Sequence, residues 1–244
     1  MRGMNGWVRF VPIPLIAVLL FVPPSGAQQP PEGQSTSSNT SSSARHVRKP
    51  APVAEARLEA GSVSNGVYRN PAFGVTYKIP PGWVLRTAEM NAREGDSTAK
   101  RDFEADARPD GGCPHTGCVL LAAFSRPPDA RGEDVNASIL IAAESAATYP
   151  GLRDAVQYFG PVSEIAQARG FEAADDPYQL VVGSKTLVRG DFQKDVGTRV
   201  MRQSTLVILA RGYVVSFTFI GGTQDEVEEL VAGLSLAGAT KPGH

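Results

Sequence analysis

Cys113 and Cys118 carry the most specific chemistry in this chain, set in the run Cys-Pro-His-Thr-Gly-Cys. Pro114 and Gly117 bend the intervening backbone and bring the two Cα atoms toward bridging distance, so a local disulfide is expected in an oxidising compartment. His115 between the thiols raises a metal site as the alternative. A closed zinc site wants four ligands, however, and no other Cys or nearby His completes the set. The run also lacks the Cys-His ending of a haem-attachment motif. No metal and no cofactor is expected. A bridge over so short a loop stiffens one turn and adds little else.

The remaining reactive residues form weaker patterns. A Ser-His-acid hydrolase needs a histidine to take the serine proton. His46 and His244 fall in terminal tails, His115 is hemmed between the cysteines, and no Gly-x-Ser-x-Gly elbow occurs. Asp102, Glu104, Asp106 and Asp110 share one loop with Lys100, Arg101 and Arg108, which balance them. That loop lacks the turn glycine and terminal Glu of a calcium-binding EF-hand. Two carboxylates could also serve a glycosidase, but sequence spacing does not fix the separation that mechanism requires. Gly183-Ser184-Lys185-Thr186 lacks the upstream glycine and the helix of a phosphate-cradling loop and reads as a hairpin turn. Trp83, Tyr77, Phe217 and Phe219 would line an apolar pocket or, more commonly for aromatics, simply fill core. No catalytic or cofactor-binding residue is assigned.

The chain begins with an export pattern. Arg2 and Arg9 give a positive start, Val11 to Val22 an apolar stretch, and Ser25-Gly26-Ala27 a small-residue cleavage site before Gln28. The apolar stretch is too short to span a bilayer core as a helix, and Pro12 and Pro14 interrupt it. Residues 1–27 are therefore expected to be a signal peptide cut between Ala27 and Gln28. Its removal takes two arginines and no acid, moving the formal net charge from -1 to -3. Scattered charge of this size argues against nucleic acid, which needs a concentrated basic surface. With no second apolar segment, no stable membrane insertion is expected after cleavage. The address implied is periplasmic or secreted.

Residues 28–60 read as a linker rich in Ser, Thr and Pro, with too little apolar surface to offset the entropy of ordering it. Arg45, His46, Arg48 and Lys49 form a basic stretch within it. Residues 61–238 form one domain, and 239–244 a tail. Phe73 to Ile79 alternates apolar and polar side chains, the mark of a strand with one buried face. Pro80-Pro81-Gly82 ends it, and Trp83 is expected to fold back over its end. Val119–Phe124 and Ser138–Ala143 are continuously apolar, as sheet centres are.

Between Pro150 and Gly170 the period turns helical, with Leu152, Val156 and Phe159 on one inward face and Val162, Ile165 and Ala166 on the next. Two hairpins follow: Tyr178–Val182 returning through Leu187–Phe192 around Gly183-Ser184, and Val200–Leu209 returning through Tyr213–Ile220 around Arg211-Gly212. A two-residue turn at the second sets Ala210 opposite Tyr213, Ile208 opposite Val215 and Leu206 opposite Phe217. Thr223 with Glu226 makes a capping box for a last helix lined by Val227, Leu230, Val231 and Leu234. Strand runs interrupted by two helical regions predict an α+β fold with a mostly antiparallel sheet packed between helices, an α/β/α sandwich.

Tyr68-Arg69-Asn70-Pro71-Ala72-Phe73-Gly74-Val75-Thr76-Tyr77, followed by Ile79-Pro80-Pro81-Gly82-Trp83, resembles the opening of PsbP-like domains. Gly183 to Phe192 and Arg211 to Phe217 are similar to that family's second half. The resemblance spans roughly Gly66 to Leu236; Asn91 to Gly117 has no place in it. It implies an antiparallel sheet between helices, as in the photosystem II extrinsic subunits and a Ran-binding import factor, and a non-enzymatic role. No partner-contacting motif matches, so no binding residue is carried over. The expected function is an exported binding or assembly module for an envelope or secreted protein, and the chain is not expected to be an enzyme. The alternatives are a carrier of a small apolar ligand held between sheet and helices, and a hydrolase.

Overall fold

Four tight turns with positive φ set the frame. The computed structural model describes residues 58–92, 113–114, 116–130, 132 and 134–237. Its strands are β1 (Ser62–Ser64), β2 (Val67–Asn70), β3 (Val75–Lys78), β4 (Val84–Leu85), β5 (Gly117–Phe124), β6 (Ser138–Ser145), β7 (Glu172–Ala173), β8 (Tyr178–Val182), β9 (Lys185–Val196), β10 (Arg199–Ala210), β11 (Tyr213–Gly221) and β12 (Leu234–Leu236). The helices are α1 (residues 87–92), α2 (Phe159–Ala168) and α3 (Gln224–Ala232), with 3-10 turns at Ala146–Thr148 and Ala155–Tyr158. At Asn65-Gly66 and Arg211-Gly212 both turn residues have positive φ. That geometry twists a hairpin in the same sense as its strands. Gly183 and Gly197 supply the single positive φ of the other two turns.

The main sheet has eight strands in the order β4-β5-β6-β11-β10-β9-β7, with β8 beside the other half of β9. All its pairings are antiparallel. The register expected at the second hairpin is the one found: Ala210 faces Tyr213, Ile208 faces Val215 and Leu206 faces Phe217. Both sheet faces are covered. Tyr158, Phe159 and Ala166 from the 3-10 turn and α2 pack on Val188, Val207 and Val214. On the same side, Met90 of α1 packs on Val119, Ala122 and Phe124. The opposite face carries Leu121, Ile139, Ile141, Leu206, Val215, Phe217 and Phe219 against Val227, Leu230 and Val231 of α3.

The class is therefore α+β and mostly antiparallel, as expected. One layer differs from a simple α/β/α sandwich. A second antiparallel sheet, β1-β2-β3-β12, shares the α3 layer, and its Tyr68, Val75 and Tyr77 enter the same core. Helix α3 stops at Ala232, so Leu234 lies in β12 instead of continuing the helical face. Val156 also departs from expectation and is 44 % exposed. Residues 155–158 wind at three per turn, which carries Tyr158 inward in its place. The capping box is half formed: Thr223 Oγ1 accepts from the Glu226 N–H at 3.1 Å, while Glu226 Oε2 accepts from the N–H of Gly222.

Two glycines let other groups come close. The Phe159 ring lies where a side chain on Gly190 would be, so α2 seats directly on β9. At Gly183, φ is +60° and a Cβ would overlap the carbonyl oxygen of Leu236. Gly183→Ala is expected to cost about 2 kcal/mol from left-handed strain plus that overlap, read as a lowered urea midpoint.

Candidate functional site

Arg189 stands on the face of β9 turned toward α3, opposite the fully buried Leu206. Leu187 and Val188 precede it, and Asp191 follows two residues later on the same face. Arg189 is only 4 % exposed. Its Nε donates to Asp191 Oδ1 at 2.9 Å and Oδ2 at 3.0 Å. Its Nη1 donates to Glu228 Oε2 at 2.9 Å, and Nη2 donates to the other oxygen, a bidentate fork reaching across to α3. Gln224, one helical turn earlier, donates to Glu228 Oε1 at 2.8 Å. Tyr178 of β8 closes the group: its hydroxyl donates to Asp191 Oδ2 at 3.2 Å, and its ring lies 5.9 Å from the guanidinium carbon.

The electrostatics follow from this placement. Burial works against the Arg189 charge, but hydrogen bonds from Glu228 and Asp191 outweigh it and hold the guanidinium firmly protonated. The Arg189 hydrogen bonds hold the Glu228 carboxyl below its usual range. Burial and the Asp191 charge push the Tyr178 hydroxyl up. One cation thus serves two carboxylates, leaving one negative charge in excess at the edge of the sheet. Helix α3 deepens it with Asp225, Glu226 and Glu229 and carries no basic residue. This arrangement presents fixed charge that can orient a charged partner.

A second buried carboxylate, Glu144, sits on the opposite face near the end of β6. Tyr149 Oη donates to its Oε2, and Tyr158 Oη to its Oε1 at 3.1 Å. The two rings meet edge to face at 5.1 Å. Burial, then the Glu144 charge, drives both tyrosine hydroxyls up. The cluster ties β6 to the two 3-10 turns.

Of the residues singled out in the sequence, Cys113 and Cys118 sit at disulfide distance, with Cα atoms 5.4 Å apart. Cys113 also pairs with Leu58, which is buried. Tyr77, Phe217 and Phe219 are fully buried, and Trp83 packs against the same core. Tyr77 stacks on Phe219 with ring centroids 5.8 Å apart, so these aromatics fill core. His115, the loop acids Asp102, Glu104, Asp106 and Asp110, and Ala27 and Gln28 lie outside the described residues, as do His46 and His244. The Arg189 group was not assigned from sequence. The available signal was a charged pair two residues apart, flanked by the apolar Leu187, Val188 and Phe192.

Among the described residues no helix is long and apolar enough to cross a membrane, and no three potential metal ligands come together. No protein-family model matches this chain, and neither does any curated protein. Its similarity to known proteins is one of structure. Solved structures similar to it include the cyanobacterial PsbP of Synechocystis sp. PCC 6803, at 14% identity over 74% of this chain and 98% of that one, TM-score 0.42. LpqN of Mycobacterium tuberculosis, described as involved in cell envelope biogenesis, is 14% identical over 67% of this chain and 83% of its own, TM-score 0.33. The Saccharomyces cerevisiae Ran-binding protein Mog1p is 16% identical over 67% and 80%, TM-score 0.34.

Proposed function

We propose that this chain is an exported, non-enzymatic binding or assembly module whose partner, a periplasmic or secreted protein, engages the β8 side of the main sheet. The observation that carries this reading is the exposure of β8. Val181 is 69 % exposed and Tyr178 43 % exposed, on a strand that pairs with β9 alone among the described residues. Apolar side chains on an open strand beside a fixed charge group are what a docking edge offers. The export pattern of residues 1–27 and the close Cys113–Cys118 pair both suit an oxidising compartment.

The test is site-specific photocrosslinking in the producing cell. A photoreactive residue is placed at Val181, with a control at Val63 on the edge of the other sheet. A discrete heterologous adduct from position 181 and none from position 63 is the expected result. Adducts from neither position, or equally from both, would remove the support for this surface.

A further inference from the structure

Building on that reading, we infer that the β8 edge takes an added strand from a basic, extended segment of its partner. The hydrogen-bond phase of the edge is set by the turn. Val182 pairs with Lys185 across the two-residue Gly183-Ser184 turn. Val182, Leu180 and Tyr178 therefore spend their N–H and C=O groups on β9, while Gln179 and Val181 aim theirs outward. The strand reads Tyr-Gln-Leu-Val-Val, with neither the charges nor the internal proline by which natural edges are protected. The other outer strands, β1, β4, β7 and β12, have three, two, two and three residues. They offer far less backbone to a newcomer.

Charge selects the partner. Asp191 and Glu228 share one guanidinium, Asp225 and Glu229 are exposed on α3, and Asp175 and Asp176 are exposed just before β8. Of the bases in β9, Arg189 is occupied, Lys194 donates to the Arg169 carbonyl, and Lys185 lies at the turn. A second copy of this chain would bring two such acidic edges together, so like-charge repulsion opposes self-pairing. A basic segment meets the opposite situation. Side chains of an added strand alternate between faces. Those on the α3 face fall beside Tyr178 and the Glu228 carboxylate and suit Lys or Arg. Those on the other face fall beside exposed Val181 and suit an apolar side chain.

The experiment is fluorescence anisotropy of the mature chain, residues 28–244, with a labelled peptide of about eight residues alternating lysine and valine. Its counterpart replaces lysine with glutamate. The lysine peptide is expected to bind at least ~10-fold tighter than the glutamate peptide and to weaken as salt rises. Val181→Pro removes an outward N–H without touching the β8–β9 ladder and is expected to cost ~10-fold or more in affinity, with folding checked by circular dichroism. The paired change Asp225→Lys and Glu229→Lys, on solvated α3 positions, is expected to cost about as much and does not depend on β8 tolerating proline. Equal affinity for the two peptides, or full affinity in both variants, overturns the proposal. So does crosslinking from position 181 to residues 45–49 of the same chain, which would make its own basic stretch the occupant. A heterologous adduct from position 181 without lysine-peptide binding would sink this partner chemistry and leave the binding-module reading standing.

Discussion

Replacing Phe219 with alanine is expected to lower the unfolding free energy by about 3–5 kcal/mol, the range seen when a fully buried aromatic leaves a cavity. Phe219 lies on β11 with no exposed surface. Its ring stacks on Tyr77 at 5.8 Å with an interplanar angle of 26°, and Tyr77 belongs to β3 in the other sheet. The cavity would therefore open between two sheets. Collapse around it is resisted because the Tyr77 hydroxyl is fixed to the Leu230 carbonyl at 2.8 Å and its backbone pairs with Leu234. Urea unfolding of the variant and the parent chain gives the difference directly. A loss below about 1 kcal/mol would mean that the small sheet is not rigidly seated on the large one.

Arg189→Met is expected to cost about 2–4 kcal/mol near neutral pH. Methionine fills similar space, but Asp191 and Glu228 lose their shared cation, and removing one partner from a buried ion group leaves charge uncompensated. The figure sits toward the lower side because the Glu228 side chain is 46% exposed and partly solvated. The pH dependence has a definite sign. Glu228 titrates in the folded chain below its ordinary value of 4.5, so its interaction stabilises the fold above that value and is lost as pH falls through the depressed one. The gap between parent and Arg189→Met should be widest near neutrality and should narrow in acid below about pH 4. A gap that stays constant down to the acid limit would show that Arg189 contributes through packing alone.

Both hairpins were legible because everything that specifies them is local. A two-residue turn rich in Gly, flanked by alternating side chains, fixes the register, and Arg211-Gly212 and Gly183-Ser184 do so without help from distant chain. Of the small sheet, β3 was legible from its alternation, but its pairing with β12 was not. Leu234 fits the spacing of the helix before it, and Gly233 alone separates helix from strand. The Arg189 group was half legible. The Arg189–Asp191 pair lies within one strand, but Glu228 is 39 residues away on a helix whose other acids look equally solvated. Only tertiary placement distinguishes Glu228 from Glu229. Val156 was misplaced for a related reason: an α-helical period was assumed where the chain tightens to 3-10, under a capping box built by Asp154 and Gln157.

The pairing of β12 with β3 has a consequence for the order in which the chain can assemble. Strands β8 to β11 are consecutive, each joined to the next by a tight turn, so their ladder closes with little loop entropy and can form early. Leu236 must instead find Val75, and Leu234 must find Tyr77, across almost the whole domain. A ribosome delivers residue 75 long before residue 236. For that interval β3 has β2 beside it and an open edge on its other side, with Tyr77 uncovered. Helix α3 and β12 follow one another within Gln224–Leu236, so the segments that cover Tyr77 become available together.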